Sequence, residues 1–182
     1  MVDDMVHDGI SSLPGHVQIH HPDFRNDPTV ANLMPAPGER LLQVLETPEV
    51  VAWTTRIRVP AVITSERDTR GVTLVGIRPS AEHHLSFVAE DVVEGRFLED
   101  VGDRGLVVGR KLLERLETDL GKRVVVMSQD RDNEIADRGF RIVGVFEADP
   151  AGLADPTAYD NRVFLQDGGQ VSGSLVPSLD AA

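Results

Sequence analysis

The sequence predicts an α+β fold that is mostly antiparallel, and three observations lead to this prediction. Short apolar runs rich in valine and isoleucine recur along the chain and are separated by Gly, Pro and Asp, as between antiparallel strands. One helical stripe of leucines follows directly after an apolar strand. The 182 residues suffice for one hydrophobic core, which at this length buries roughly 70% of the surface that the unfolded chain exposes.

The first fifty residues carry weak patterns. Residues 1–13 have apolar side chains at helical spacing, which predicts a helix. The next segment, GHVQIH (15–20), alternates, so a half-buried strand is expected with Val17 and Ile19 on its apolar face. A short helix is predicted over Gly38–Leu45, after a proline-rich turn.

The middle of the chain predicts an antiparallel hairpin. Its first strand is expected within Val50–Ser65, where Pro60 favours an edge position or a bulge because proline donates no hydrogen bond. The second strand is GVTLVGIRP (71–79), and Ser80–His84 is predicted to add one helical turn.

The block from Asp91 to Glu147 has the clearest pattern, because apolar runs, glycines and charged turns alternate at short intervals. The predicted elements are a strand at Leu106–Val108, a helix at Arg110–Leu120, a strand at Arg123–Met127, a charged hairpin tip at Ser128–Arg138 and a strand at Phe140–Phe146. Beyond the block we expect a loop at Asp149–Asp160 and strands at Asn161–Leu165 and Val171–Val176.

Composition excludes several classes of function. The 30 acidic and 18 basic residues give a net charge of −12, and no basic stripe is visible, so no nucleic-acid partner is expected. Cysteine is absent, which excludes disulfides, thiolate catalysis and cysteine-ligated zinc. No apolar run reaches the ~18 residues of a membrane span, and the acidic start lacks the features of a signal peptide.

Residues that could carry chemistry do not form a recognisable site. His16 and His20 would lie ~13 Å apart on a strand, and His83–His84 sit together in a loop, so a zinc site has little support. A calcium loop counted from Asp130 would need glycine and glutamate where the chain has Ile135 and Arg141. We therefore predict no catalytic, cofactor-binding or metal residue, and a metal-dependent hydrolase using the histidines remains a rival hypothesis.

Six motifs together resemble a known family. The segments GHVQIHHPDFRNDP, GVTLVGIRPSAE, VEGRFL, GLVVGRKLLERL, GKRVVVMSQD and FRIVGVFEAD occur in this order between Gly15 and Leu165. They resemble the periplasmic core domain of MacB/FtsX-like ABC transporter permeases, and the likeness is greatest to the lipoprotein-releasing (LolC/LolE) branch. The family's helix ending, Leu-Gly-x-x-x-Gly-Asp, departs here at Glu117 and Lys122, so this turn is expected to differ.

The resemblance implies a single extracytoplasmic module over 1–182, with a mixed α/β porter part and an inserted β-rich sabre part at about 99–150. It implies a non-enzymatic role without cofactor: coupling the motion of membrane helices to export or release of a lipoprotein, lipid or other amphiphile. The implied partners are a cytoplasmic ABC ATPase subunit, a second permease copy or paralogue, and a periplasmic carrier protein or lipoprotein cargo. The alternative is a stand-alone soluble adaptor module that binds proteins and shares only the architecture.

Contacts with a partner are expected in two loops, because loops carry much of protein function. These are the hairpin tip and the loop Asp149–Asp160, and plain solvated turns are the alternative. The candidate contact residues are Asp130, Arg131, Asp132, Asn133, Glu134, Asp155 and Tyr159.

Overall fold

The computed structural model describes residues 17–27, 29–35, 37–82, 85, 87–99, 103–129, 134–147 and 162–166. The helices are α1 (Glu39–Leu45), α2 (Pro79–Glu82) and α3 (Arg110–Arg115), and 3-10 turns lie at Val30–Asn32 and Phe87–Ala89. The strands are β1 (Ile57–Thr64), β2 (Thr69–Ile77), β3 (Val92–Gly95), β4 (Gly105–Gly109), β5 (Arg123–Gln129), β6 (Ile135–Phe146) and β7 (Arg162–Gln166).

The strands form one sheet in the order β3–β6–β4–β7–β2–β1–β5. Because β5 also pairs with β6, six of the strands close into a ring, with β3 added beside the second half of β6. The pairs β2–β7 and β4–β6 are parallel, and the other pairs are antiparallel. The predicted α+β fold with mostly antiparallel strands is confirmed.

The inside of the ring holds the larger core. Every strand of the ring contributes alternate apolar side chains to it, as the two-residue repeat of a strand requires. Helix α3 adds Leu112 and Leu113, and Leu116 follows at its end. Leu120, the last leucine of the stripe predicted from the sequence, lies beyond the helix and is 37% exposed.

A second core lies on the opposite face of β2, β7, β4 and β6. There Phe146 and Phe164 meet edge to face with their ring centroids 5.5 Å apart, and Val88 and Leu98 cover them from the segment around β3. Strand β4 is therefore buried on both faces, with Val107 outside and Leu106 and Val108 inside. This explains why its sequence is a continuous apolar run instead of an alternating one.

Strand β6 joins the two parts of the sheet through a bulge. Its first half pairs with β5, and its second half pairs with β4 and β3. Between Leu106–Ile142 and Val107–Gly144 the register skips Val143. The extra residue puts both Ile142 and Val145 into the inner core, although they are three residues apart.

Several predicted elements are present with shifted ends. The helix expected at Gly38–Leu45 is α1, the hairpin in the middle of the chain is β1–β2, and the expected strand Asn161–Leu165 is β7. The expected turn Ser80–His84 corresponds to α2. Strand β1 begins only at Ile57, because the preceding residues 51–56 have no strand partner.

Three predictions about element boundaries were wrong. The described residues 17–20 form no strand, and Val17 and Ile19 are 81% and 57% exposed, since two apolar side chains cannot bury a strand face alone. The helix expected to reach Leu120 ends at Arg115. The hairpin tip is shorter than Ser128–Arg138, because cross-strand pairing continues to Gln129 and Ile135. The predictions for 1–13, 149–160 and 171–176 lie outside the described residues.

Candidate interaction surface

At the far end of the β5–β6 hairpin, the pairing of β5 with β1 stops before its pairing with β6. On one side β5 pairs with β1 only from Val125 to Ser128, while its pairing with β6 continues to Gln129. The ladder with β1 stops at Pro60, which has no backbone N–H to donate, and Ser128 Oγ instead donates to the Pro60 carbonyl at 2.8 Å. Residues Ile57–Pro60 pair with β2 alone, so Pro60 lies at the open edge of β1, one of the two positions expected from the sequence.

The structure places one of the candidate contact residues. Glu134 is exposed just before β6, beside Ile135, which is 77% exposed. The other candidates lie outside the described residues: Asp130, Arg131, Asp132, Asn133, Asp155 and Tyr159. An exposed acidic side chain and an exposed apolar side chain are thus neighbours at the base of the hairpin tip.

The rival hypothesis, a metal-dependent hydrolase that uses the histidines, finds no support in the described part of the chain. The His20 ring stacks on Phe24 with centroids 5.5 Å apart, and its Nε2 lies 2.9 Å from Gln18 Oε1. Among the residues that the structure describes, no group of three or more His, Asp or Glu side chains is placed to hold a metal ion. His16, His83 and His84 lie outside those residues.

Residues 96–99 and 103–105 are held together by a carboxylate that the sequence analysis did not single out. Asp103 accepts hydrogen bonds from the Arg96 guanidinium at 2.6 and 3.2 Å and from the backbone N–H groups of Glu99 and Gly105 at 2.9 and 2.8 Å. Burial alone raises the pKa of Asp103, but these hydrogen bonds outweigh it and hold the pKa below its ordinary value. The carboxylate is thus ionised and fully engaged in structure.

A second ion pair is buried between β1 and α2. Arg56 contacts Glu82 through two hydrogen bonds, of 2.7 and 2.8 Å, and their side chains are 11% and 1% exposed. The two residues are 26 positions apart in sequence, so no local sequence pattern predicts that they pair. It fixes the segment that leads into β1 against the turn that follows β2.

A third charged cluster joins α3 to the ends of β3 and β6. Arg110 contacts Glu94 at 2.9 Å and Glu147 at 3.4 Å. Like the two preceding ion pairs, it ties a connecting segment to the sheet. The described ion pairs therefore have structural roles.

Comparisons with known proteins agree with this architecture. The family model of the MacB-like periplasmic core domain matches residues 1–176. Among solved structures, the chain is similar to the extracellular domain of the noncanonic ABC-type transporter YknZ from Gram-positive bacteria, with 16% identity, a TM-score of 0.50, and coverage of 77% of this chain and 67% of that one. At this identity the likeness concerns the fold alone. No curated protein matches the chain. Within the described residues, no helix has the length and apolar character needed to cross a membrane.

Proposed function

The chain belongs to the family of MacB-like periplasmic core domains, and from this membership we propose that it is the extracytoplasmic domain of an ABC transporter permease. The observation that carries the proposal is the family match over residues 1–176. The domain is not itself an enzyme on this proposal, since the energy comes from an ATPase subunit on the cytoplasmic side.

The proposed role is mechanical, and the closed ring of strands suits it. Each of the six strands in the ring is paired on both sides, which restrains sliding of one strand against another. The buried Arg56–Glu82 pair fixes the segment that leads into the ring. Motion of membrane helices, driven by ATP hydrolysis, would therefore move the described sheet as a unit. A second permease copy or a paralogue would stand beside it in the assembly.

The proposed cargo is a lipoprotein, a lipid or another amphiphile, received from or handed to a periplasmic carrier. This finer proposal is supported by the resemblance of the six motifs to the lipoprotein-releasing branch. The proposed contact for the carrier is the tip of the β5–β6 hairpin, Asp130–Glu134, together with Asp155 and Tyr159. The division into a porter part and a sabre part at about 99–150 stays a prediction.

The side of the membrane on which the domain lies can be tested by cysteine labelling, since the chain has no cysteine of its own. In the full-length transporter, Glu134→Cys puts a thiol on an exposed position, and Val126→Cys puts one into the core as a matched control. We expect a membrane-impermeant maleimide to label Glu134→Cys in intact spheroplasts, and to label Val126→Cys only after denaturation.

Labelling of Glu134→Cys only after lysis would place the domain inside the cell. That outcome would reject the proposal that the domain is extracytoplasmic.

A further inference from the structure

Within the described part of the chain, no layer covers the outside of the β1–β5–β6 part of the ring. Because Val124 and Val126 point into the inner core, their neighbours along β5 point outward. We define the outer face by the outward residues Val62, Arg123, Val125, Met127, Asp137 and Arg141.

The apolar part of the outer face consists of Val62, Val125 and Met127, and Asp137 stands opposite Met127 at the end away from the arginines. Val62 and Met127 are direct cross-strand partners, and Val62 and Val125 are 37% and 38% exposed. Glycines stand opposite both valines: Gly71 faces Val62, and Gly139 faces Val125. A side chain added at Gly71 would meet no atom within 4 Å, so the backbone there is open to an approaching partner.

One end of the outer face carries unbalanced positive charge. Arg123 and Arg141 are direct cross-strand partners, and like charges in this arrangement destabilise a sheet. Arg141 donates to the Gly121 carbonyl at 2.6 Å, whereas Arg123 makes no ion pair with any residue that the structure describes. This concentration of cations occurs in a chain whose net charge is −12.

We propose that the outer face binds an acidic segment of a partner protein. Its carboxylates would pair with Arg123 and Arg141, and its apolar side chains would pack on Val62, Val125 and Met127. The two arginines would gain the counter-charge that the described part of the chain does not provide to Arg123. This inference goes beyond the proposed transport function and does not depend on the hairpin tip.

Charge and shape favour a protein segment over other anionic partners. A membrane surface or a nucleic acid presents an extended array of negative charges, which would also meet Asp137 and the rest of a chain of net charge −12. One short segment can instead place its carboxylates at the two arginines alone. The outer face offers two arginines beside a small, flat apolar area, which matches the side chains of one extended segment.

The test uses a fluorescent decapeptide in which glutamate alternates with valine, titrated with the protein at 25 mM and 150 mM salt while anisotropy is recorded. We expect saturable binding that weakens with salt. Arg123→Glu should raise Kd about tenfold, the effect of losing roughly 1.4 kcal/mol, and Val125→Ser about threefold. Arg25→Glu, at an exposed position outside the outer face, is the control with the same change in net charge.

Several results would overturn the inference. These are no saturation at millimolar protein, an equal loss of binding in Arg25→Glu, or equal binding of a peptide with lysine in place of glutamate. Binding of vesicles containing phosphatidylglycerol without binding of the acidic peptide would assign the face to a membrane surface instead. If Arg123→Glu fails to fold by circular dichroism, Arg123→Gln provides the same comparison.

Discussion

At the scale of single residues, two glycines allow the chain to cross itself where it leaves β3. Gly95 has a φ of +77°, and a Cβ on Gly144 would lie 2.1 Å from the Arg96 carbonyl oxygen. The crossing is held by the Arg96 N–H, which donates to the Val143 carbonyl at 2.9 Å. It positions Arg96 for its contact with Asp103.

We predict that Gly144→Ala lowers the free energy of unfolding by about 2–3 kcal/mol, because backbone must move to admit the methyl group. Gly71→Ala is the matched control in another strand, where nothing lies within 4 Å of the added carbon. It should be neutral or slightly stabilising. Urea denaturation of both variants measures the difference, and equal stabilities would contradict the close crossing.

The early end of α3 is also explained by the backbone conformation of one residue, Glu117. Glu117 has a φ of +47°, its N–H donates to the Glu114 carbonyl at 3.0 Å, and the Thr118 N–H donates to the Leu113 carbonyl at 3.3 Å. These two bonds form a Schellman motif, which normally has glycine at the left-handed position. The departure from the family pattern noted in the sequence therefore falls on this position, and the turn forms with glutamate in it.

Glu117→Gly should raise the free energy of unfolding by about 0.5–1 kcal/mol, since glycine adopts positive φ without a steric penalty. The exposed contact between Glu117 and Arg67, at 3.7 Å, contributes little to set against this gain. Glu114→Gly, inside α3, should instead lower the free energy by about 1 kcal/mol. Chemical denaturation measures the free energy of unfolding of both variants. A Glu117→Gly variant less stable than the original protein would refute the assigned backbone conformation.

The lowered pKa of Asp103 predicts a pH dependence of stability. Because the folded-state pKa lies below the unfolded value of about 3.9, Asp103 contributes stability above that pH and loses its contribution as the pH falls through the folded pKa. Asp103→Asn should therefore be less stable than the original protein at pH 6, and the two should converge in acid. Urea titrations from pH 6 to 2.5 test this.

The control for this series is Asp119→Asn, which removes an exposed carboxylate outside the loop network. A gap between the original protein and Asp103→Asn that stays constant down to pH 2.5 would show that the Asp103 charge is not what holds the loop.

At the scale of elements, local sequence patterns predict strands, helices and hairpins, but they do not predict changes of strand register. The β1–β2 hairpin and the order strand, helix, strand, strand from β4 to β6 follow from apolar periodicity and turn residues. The bulge at Val143 has no such signature, because GFRIVGVF is compatible with a regular strand. It arises because β6 must pair with different strands along its length.

The Arg56–Glu82 pair joins elements that are distant in sequence, and we predict a large penalty for breaking it. Arg56→Ala leaves the Glu82 carboxylate buried without its counter-ion, which should cost about 3–5 kcal/mol. The double variant Arg56→Met with Glu82→Met should cost less, because no isolated charge stays buried. Thermal and urea denaturation compare them. Equal losses in both would show that packing, and not charge, governs this contact.

At the scale of the whole molecule, the sequence predicted the class of fold and its family but not the closure of the sheet. The ring closes through β2–β7 and β4–β7, which join segments far apart in the chain, and periodicity carries no information on such pairs. Of the candidate contact residues, the structure places Glu134 at the exposed base of the hairpin. The outer face was missed because Arg123 and Arg141 meet only after β5 and β6 pair.

The central claim is that this domain is part of a membrane transporter. The reading frame that encodes the domain tests this claim most directly. Sequencing the source DNA on both sides should show an apolar run of ~20 residues just before Met1 and about three more such runs after Ala182. A start codon at Met1 and a stop codon after Ala182 would contradict the claim, and the kinship with permease domains would then reflect shared architecture in a stand-alone binding protein.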